Sequence, residues 1–185
     1  MIKLKAQQTA FEGLYILQPT LLGDERGYFM ESYNYRDLQR QKMDVHFVQD
    51  NQSRSKKGVM RGLHYQNAPF AQTKLIRVLQ GVILDLVVDL RKEQPTYGKH
   101  FALELTGENQ CQLFIPKGFA HGFIVLSESA EILYKIDEYH NPAAEGGILY
   151  NDPALQIDWR LEAEKIILSE RDRKFPLLSE AHFQF

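Results

Sequence analysis

Short apolar runs recur through the middle of the chain, and each ends at a glycine, a proline or a polar turn. One run with its turn takes about 8–12 residues, a spacing typical of β-sandwiches and barrels. Gly81 lies where a turn or bulge would separate the first two runs. The pattern predicts an all-β fold of two sheets or a closed barrel, such as a jelly roll. The runs cover residues 75–79, 81–91, 100–105, 112–115, 119–126 and 131–136.

Helical patterns are few and short. Residues 33–43 have weak amphipathic spacing and predict one short helix. Near the C-terminus, Ser169 and Asp172 have the spacing of a helix cap and its third residue, and Pro176 would limit the helix that they begin. We therefore expect a few small helices beside the sheets.

Length and composition restrict the classes of protein that fit. A chain of 185 residues suits a single domain, 1–185, with a substantial core. The net charge of −2 lacks the basic footprint of a nucleic-acid-binding protein, so an anion would need a local cluster of cations. No apolar run has the length of a membrane span or a signal-peptide core. The single cysteine, Cys111, cannot form an internal disulfide, which favours the cytoplasm.

The densest polar block is 49–66, where several cations precede His64. Arg54 and Arg61 offer planar guanidinium groups that suit phosphate oxygens, and Gly58 and Gly62 allow turns or close approach of the backbone to a ligand. Taken alone, a block of this composition more often forms a solvated loop with a basic face. A functional interpretation depends on further polar groups elsewhere in the chain.

Each of the other candidate residues, taken alone, is weak evidence for a functional site. Residues 23–31 predict a turn that leads into an aromatic strand, and Lys74 would usually face solvent. His121 lies between aromatic residues and would more often be a core histidine. Tyr134 would be a core or edge aromatic of the strand 131–136.

The six histidines do not predict a metal site. A metal site in a β-barrel needs three or four converging ligands, often two imidazoles two residues apart on one strand. The sequence has no His-x-His pair, and each histidine stands alone in its segment. We expect no catalytic metal.

Five segments together resemble the dTDP-4-dehydrorhamnose 3,5-epimerase family, and the likeness extends from about Gly13 to Leu178. The combination of segments is specific for this family, although each segment alone is weak evidence for it. The segments are 24–31 (DERGYFME), 47–51 (FVQDN), 59–66 (VMRGLHYQ), 115–123 (IPKGFAHGF) and 133–135 (LYK).

The resemblance implies a cupin-type jelly roll, a homodimer, and an enzyme with no metal and no organic cofactor. The implied reaction converts dTDP-4-dehydro-6-deoxy-D-glucose to dTDP-4-dehydro-L-rhamnose in dTDP-L-rhamnose synthesis. The C4 ketone acidifies the protons at C3 and C5, so the enzyme needs a base, an acid on the opposite face and a group that stabilises the enolate. By resemblance these are His64 as base with Asp172 on its other nitrogen, Tyr134 as acid, and Lys74 near the C4 oxygen.

The resemblance also implies a set of substrate-binding residues. Tyr139 is implied to stack on thymine, and His140 stands where relatives can carry a second aromatic residue. Arg171 stands where relatives can carry Lys, which keeps the charge but changes the donor geometry. In such dimers part of the pocket can come from the partner chain. The other implied contacts are Arg26, Glu31, Gln49, Asn51, Arg61, His121 and Glu145.

Three other functions fit parts of this pattern. A related epimerase that acts at C3 or C5 only would share the His, Asp and Lys set. A metal-dependent cupin oxygenase or isomerase is disfavoured because no His-x-His pair is present. A non-catalytic nucleotide-sugar-binding module would keep the arginines without needing the four catalytic candidates together.

Overall fold

The computed structural model describes residues 4–185. The short strands predicted from the sequence assemble into two antiparallel sheets. The six-stranded sheet has the order β1-β2-β10-β7-β12-β5, and the five-stranded sheet has the order β13-β6-β11-β8-β9. A separate hairpin, β3-β4, stands apart from both. The strands are β1 (Leu4–Gln8), β2 (Tyr15–Pro19), β3 (Leu22–Asp24), β4 (Gly27–Phe29), β5 (Gln49–Lys56), β6 (Met60–Gln66), β7 (Lys74–Gln80), β8 (Val82–Asp89), β9 (His100–Thr106), β10 (Gln112–Ile115), β11 (Phe119–Val125), β12 (Ser129–Ile136) and β13 (Glu145–Gly147).

The main core fills the space between the two sheets. Alternate residues of β7 and β10 face β8 and β11, so Ile76, Leu113, Val87 and Phe123 meet in one buried cluster. Each run predicted from the sequence corresponds to a strand, and Gly81, at φ +85°, lies between β7 and β8. The predicted all-β sandwich is confirmed. That residues 1–185 form one domain stays a prediction, and residues 1–3 lie outside the described part.

The block 49–66 is not a basic loop, so the interpretation favoured for it in isolation is wrong. Its first half forms β5 at the edge of the six-stranded sheet, paired with β12 along its length. Its second half forms β6, which pairs with β11 and β13 in the other sheet. The chain crosses between sheets at the turn around Gly58. Side chains of one short block therefore face the same interior from opposite walls.

The helices are shorter than the sequence predicts. The helix expected at 33–43 is reduced to α1 (Tyr35–Arg40), which begins at Asn34, whose side chain accepts the N–H of Arg36. The expected C-terminal helix is only a 3-10 turn, Asp172–Lys174. The Ser169 hydroxyl nevertheless accepts the N–H of Asp172 at 3.1 Å, although Arg171 is the residue directly before the turn. A second 3-10 turn covers Ala163–Lys165.

Two further layers cover the outer faces of the sheets. Residues after β13 and the C-terminal tail pack on the five-stranded sheet around Trp159 and Tyr65. Helix α1 packs through Leu38 on the outer face of the six-stranded sheet against Leu17 and Phe114. Both layers leave the interior between the sheets open toward the β5, β6 and β13 side, where polar side chains replace apolar ones.

Candidate active site

A cavity of about 650 Å³ lies between the sheets, and side chains of both sheets line it. The five-stranded sheet contributes residues of β6, β11 and β13, and the six-stranded sheet contributes residues of β5, β7 and β12. The segment 167–172 closes one side. The predicted site residues that line it are Arg61, His64, Lys74, His121, Tyr134, Glu145, Arg171 and Asp172.

His64 and Asp172 form a hydrogen-bonded pair in this cavity. The His64 Nε2 atom lies 2.9 Å from Asp172 Oδ1, and the other carboxylate oxygen accepts the backbone N–H of Gly62 at 3.4 Å. Asp172 is buried, with only 4% of its side chain exposed, so its carboxylate depends on these donors. Because the carboxylate is an acceptor, the neutral imidazole donates from Nε2. The Nδ1 atom then carries the lone pair, and no group in residues 4–185 bonds to it.

The backbone around His64 is set by an unusually close approach of two strands. Gly62 has φ +127°, and a Cβ atom there would lie 2.5 Å from the Cα of Gly122. Only glycine fits this conformation and this spacing. The contact holds β6 against β11 and places His64 opposite His121 in the ladder.

The surroundings of His64 favour its neutral form. Burial lowers the pKa of His64, and the nearby positive charges of Lys74 and Arg171 act in the same direction. The hydrogen bond and charge of Asp172 oppose this without overcoming it. Burial alone would raise the pKa of Asp172, but the His64 contact and the Gly62 N–H hold it below its usual value. An uncharged imidazole beside an ionised carboxylate is the arrangement that a general base needs.

A second histidine–aspartate pair lies in the same interior, and its acid, Asp85, was not among the site residues predicted from the sequence. His121 Nε2 lies 2.7 Å from Oδ1 of Asp85, which is fully buried in β8. The second oxygen, Oδ2, has no hydrogen-bond partner in the described residues. The signal was present in the sequence: a carboxylate inside an otherwise apolar strand needs a buried partner. The sequence could not show that the partner would be His121.

The six-stranded sheet supplies the opposite wall with Lys74 and Tyr134. Burial lowers the pKa of Lys74 to about 8, and the negative charges of Asp85 and Glu145 partly offset the effect. Burial also raises the pKa of Tyr134, and the charge of Arg61 opposes this. At neutral pH the wall therefore carries an ammonium group and a protonated phenol.

An ionic network connects the His64 pair to the rim. Arg171 Nη1 lies 2.8 Å from Glu145 Oε2, and its Nε lies 3.5 Å from Asp172 Oδ1. The same Glu145 oxygen lies 3.3 Å from His140 Nε2. Arg171 Nη2 also comes within 3.3 Å of His64 Nε2. Since that nitrogen donates to Asp172, the guanidinium is a neighbouring charge and not a hydrogen-bond partner of the imidazole.

A smaller cavity of about 340 Å³ adjoins the first and shares His64, Lys74, Tyr134, His140 and Glu145 with it. Its polar lining includes Gln49 and Asn51 of β5, joined by a hydrogen bond of 2.8 Å. The two cavities together bring ten of the thirteen predicted site residues into one region.

Three predicted site residues do not line either cavity as residues 4–185 define them. Arg26 lies at the tip of the β3-β4 hairpin, paired with Asp24. Glu31 lies beside α1, where its carboxylate accepts the side-chain amide of Asn34 at 2.7 Å. Tyr139 lies on the loop before β13, with 60% of its surface exposed. Within one chain these residues are outside the pocket.

The described part of the chain has neither a metal-binding cluster nor a membrane-spanning helix. No group of three or more His, Cys, Asp or Glu residues among positions 4–185 is arranged to hold a metal ion. No helix in the same range is both long enough and apolar enough to cross a membrane.

The fold and the cavity define a class of protein. A neutral histidine with its carboxylate faces a phenol and an ammonium group across two adjoining cavities lined with cations and amides. These are the parts of an acid–base enzyme that moves protons next to a carbonyl group.

Comparison with known proteins identifies the family. Residues 8–180 match the family model described as dTDP-4-dehydrorhamnose 3,5-epimerase. The chain is 49% identical to the dTDP-4-dehydrorhamnose 3,5-epimerase of Salmonella typhimurium over 177 residues, 94% of this chain and 95% of that one. This chain belongs to the dTDP-4-dehydrorhamnose 3,5-epimerase family.

Solved structures of relatives have the same fold. The dTDP-4-dehydrorhamnose 3,5-epimerase of Elizabethkingia anophelis superposes with a TM-score of 0.92 at 44% identity, covering 96% of this chain and 98% of that one. A 3,5-epimerase from Legionella pneumophila, in complex with dTDP-4-keto-L-rhamnose, gives a TM-score of 0.91 at 45% identity and covers 96% and 94%. The predicted family is therefore confirmed.

Proposed function

We propose that this chain epimerises dTDP-4-dehydro-6-deoxy-D-glucose at C3 and C5 to give dTDP-4-dehydro-L-rhamnose, in the synthesis of dTDP-L-rhamnose. Family membership supports the reaction. The observation that carries the mechanism is the hydrogen bond of 2.9 Å between His64 and Asp172 in a cavity that also holds Lys74 and Tyr134. The single cysteine favours a reducing compartment, the cytoplasm, as the setting.

His64 acts as the base. Its Nδ1 lone pair removes the proton from the carbon next to the C4 ketone, and the electron pair of that C–H bond moves into the enolate. The imidazolium that forms keeps its Nε2–H bond to Asp172, whose negative charge stabilises it. The acquired proton then leaves to solvent, so that the base is ready for the second carbon.

Lys74 and Tyr134 complete each proton exchange from the opposite sheet. The ammonium group of Lys74 stabilises the negative charge that develops on the C4 oxygen. The phenol of Tyr134 donates its proton to the carbon from the face opposite His64, and this inverts the configuration. The phenolate regains a proton from solvent.

Substrate binding is assigned to the cations and amides around the two cavities. Arg61 and Arg171 supply guanidinium groups for the diphosphate. Gln49 and Asn51 offer amides from β5, and Tyr139 offers an exposed ring for the thymine. His121, held by Asp85, faces the sugar.

We also propose that the chain works as a homodimer in which the β3-β4 hairpin completes the partner's pocket. The hairpin exposes Leu22, Tyr28 and Phe29, each with more than half of its surface accessible. Exposed apolar side chains next to a charged tip are typical of a protein–protein contact. Arg26, which does not line its own pocket as described by residues 4–185, would then contact the substrate bound to the other copy.

Isotope exchange tests the reaction. Incubation with dTDP-4-dehydro-6-deoxy-D-glucose in D₂O, followed by NMR, should show deuterium at both C3 and C5. Label at one carbon only would indicate a mono-epimerase. Folded protein that binds dTDP but exchanges neither proton would contradict the proposal.

A further inference from the structure

Gln66 is a buried amide whose hydrogen-bonding groups all have partners. It ends β6, two residues after His64, with 5% of its surface exposed, and it lines the smaller cavity while its polar atoms bond to backbone groups. Its Nε2 donates to the carbonyl of Phe70 at 2.7 Å and to that of Tyr139 at 3.2 Å. Its Oε1 accepts the N–H of Asn141 at 2.8 Å. Both N–H groups and the carbonyl oxygen are therefore used.

The bonds to Tyr139 and Asn141 fix the backbone on both sides of His140. Residues 137–144 connect β12 to β13, and both ends of this loop have other anchors. Gln72 Nε2 donates to the carbonyl of residue 138 at 2.8 Å, and the N–H of residue 67 donates to the carbonyl of residue 144 at 2.9 Å. Gln66 anchors the centre, where the loop carries an exposed tyrosine ring and a histidine that lines both cavities.

We propose that Gln66 is a positioning residue for nucleotide binding, which acts by holding Tyr139 and His140 in the orientation that receives the nucleotide. The inference rests on the proposed function, because that function makes a dTDP-sugar the ligand of this loop. The groups assigned to proton transfer lie on β6, β7, β12 and the 3-10 turn, not on residues 137–144. The loop reaches the His64 pair only indirectly, through the contacts from His140 to Glu145 and from Glu145 to Arg171. Loosening the loop should therefore weaken binding more than it slows the chemical step.

Gln66→Met removes the three hydrogen bonds and keeps an unbranched side chain of similar length. Titration calorimetry with dTDP should show affinity reduced by about tenfold, the effect of about 1.4 kcal/mol lost from an ordered loop. The KM for the dTDP-sugar should rise by a larger factor than kcat falls. Unchanged dTDP affinity, or a fall in kcat with KM unchanged, would contradict the proposal.

Asn67→Ala is the matched control. Asn67 is the neighbouring amide, but its side chain holds the C-terminal tail, with 3.4 Å to the carbonyl of His182 and 2.9 Å from the N–H of Gln184. This variant should bind dTDP like the parent, since the Asn67 side chain makes no hydrogen bond with residues 137–144 in the described structure. An equal loss in both variants would mean that general loosening, and not the loop, is responsible.

A double-mutant cycle separates positioning from simple packing. If Gln66 acts through the ring of Tyr139, Gln66→Met should cost much less dTDP affinity in a Tyr139→Ala background. If the losses of dTDP affinity from the two substitutions are fully additive, Gln66 does not act through the Tyr139 ring and the proposal is wrong. Should Gln66→Met fail to fold, Gln66→Glu gives a graded test. Buried against two carbonyl oxygens, the new carboxyl group is favoured as the neutral acid, which keeps the acceptor for the Asn141 N–H and one donor, so dTDP affinity should fall by a smaller but measurable factor. A parent that binds dTDP without isotope exchange would contradict the proposed reaction alone, since the affinities still judge Gln66.

Discussion

The His64–Asp172 pair joins residues 108 positions apart in the chain. The carboxylate determines which imidazole nitrogen carries the proton, and burial together with two nearby cations keeps the ring neutral. The same cavity holds His121 on Asp85, so two histidines with similar partners differ in their neighbours. Arg171 lies beside His64, and its positive charge favours the uncharged form of that imidazole.

The pH dependence of the reaction follows from these residues. The value of kcat/KM should rise as pH increases through the pKa of His64, which lies below 6.5, because the base must be neutral. It should fall as pH increases through the pKa of Lys74, about 8, because the ammonium group must be charged. Initial rates between pH 5 and 10 measure both limbs.

Lys74→Met provides the matching control for the alkaline limb. The variant should lose on the order of 10²–10³ in kcat, the usual effect of removing one group that stabilises an oxyanion. Its residual activity should no longer fall near pH 8. An alkaline limb that persists in this variant would assign that titration to another group.

At the scale of the elements, the strands were predictable and their arrangement was not. Short apolar runs located the strands at 75–79 and 131–136 correctly, since such a pattern depends only on the local sequence. The crossing of 49–66 between two sheets depends on pairing with β11 and β12, some 70 residues further along the chain. For the same reason the partner of Asp85 could not be assigned. The helix at 33–43 was predicted too long because weak amphipathic spacing does not specify an end.

The contact between β6 and β11 should be sensitive to one methyl group. Gly62→Ala combines φ +127° with a Cβ position 2.5 Å from Gly122, so β6 must move and His64 with it. The strained backbone alone should reduce the free energy of unfolding by about 1–3 kcal/mol, and the clash should reduce it further, so Tm should fall. Because His64 is displaced, kcat should also fall strongly. Thermal denaturation and initial rates measure the two effects.

Gly27→Ala separates the clash from the backbone strain. Gly27 has nearly the same φ, +128°, but a Cβ there meets no atom within 4 Å in the described part of the chain. It should lower Tm less than Gly62→Ala does. Equal losses of stability would show that the β6–β11 contact adds nothing to the conformational cost.

At the scale of the whole molecule, the site is assembled from both sheets and, by our proposal, from two chains. Mixing two variants of low activity tests directly whether one pocket uses residues of both chains. His64→Ala and Arg26→Ala should each have low activity alone, but a refolded mixture should regain activity. Each mixed dimer then has one pocket with an intact His64 and an intact Arg26 from the other copy. A mixture no more active than its components would contradict the shared pocket and assign Arg26 to the function of its own chain.

The central claim is that His64 removes the protons at C3 and C5. His64→Ala, compared with the parent in D₂O by NMR, tests it most directly when circular dichroism and dTDP binding show that the variant is folded and its pocket intact. The account predicts no deuterium at either carbon in the variant and deuterium at both in the parent. Exchange in His64→Ala at a rate close to that of the parent would contradict it.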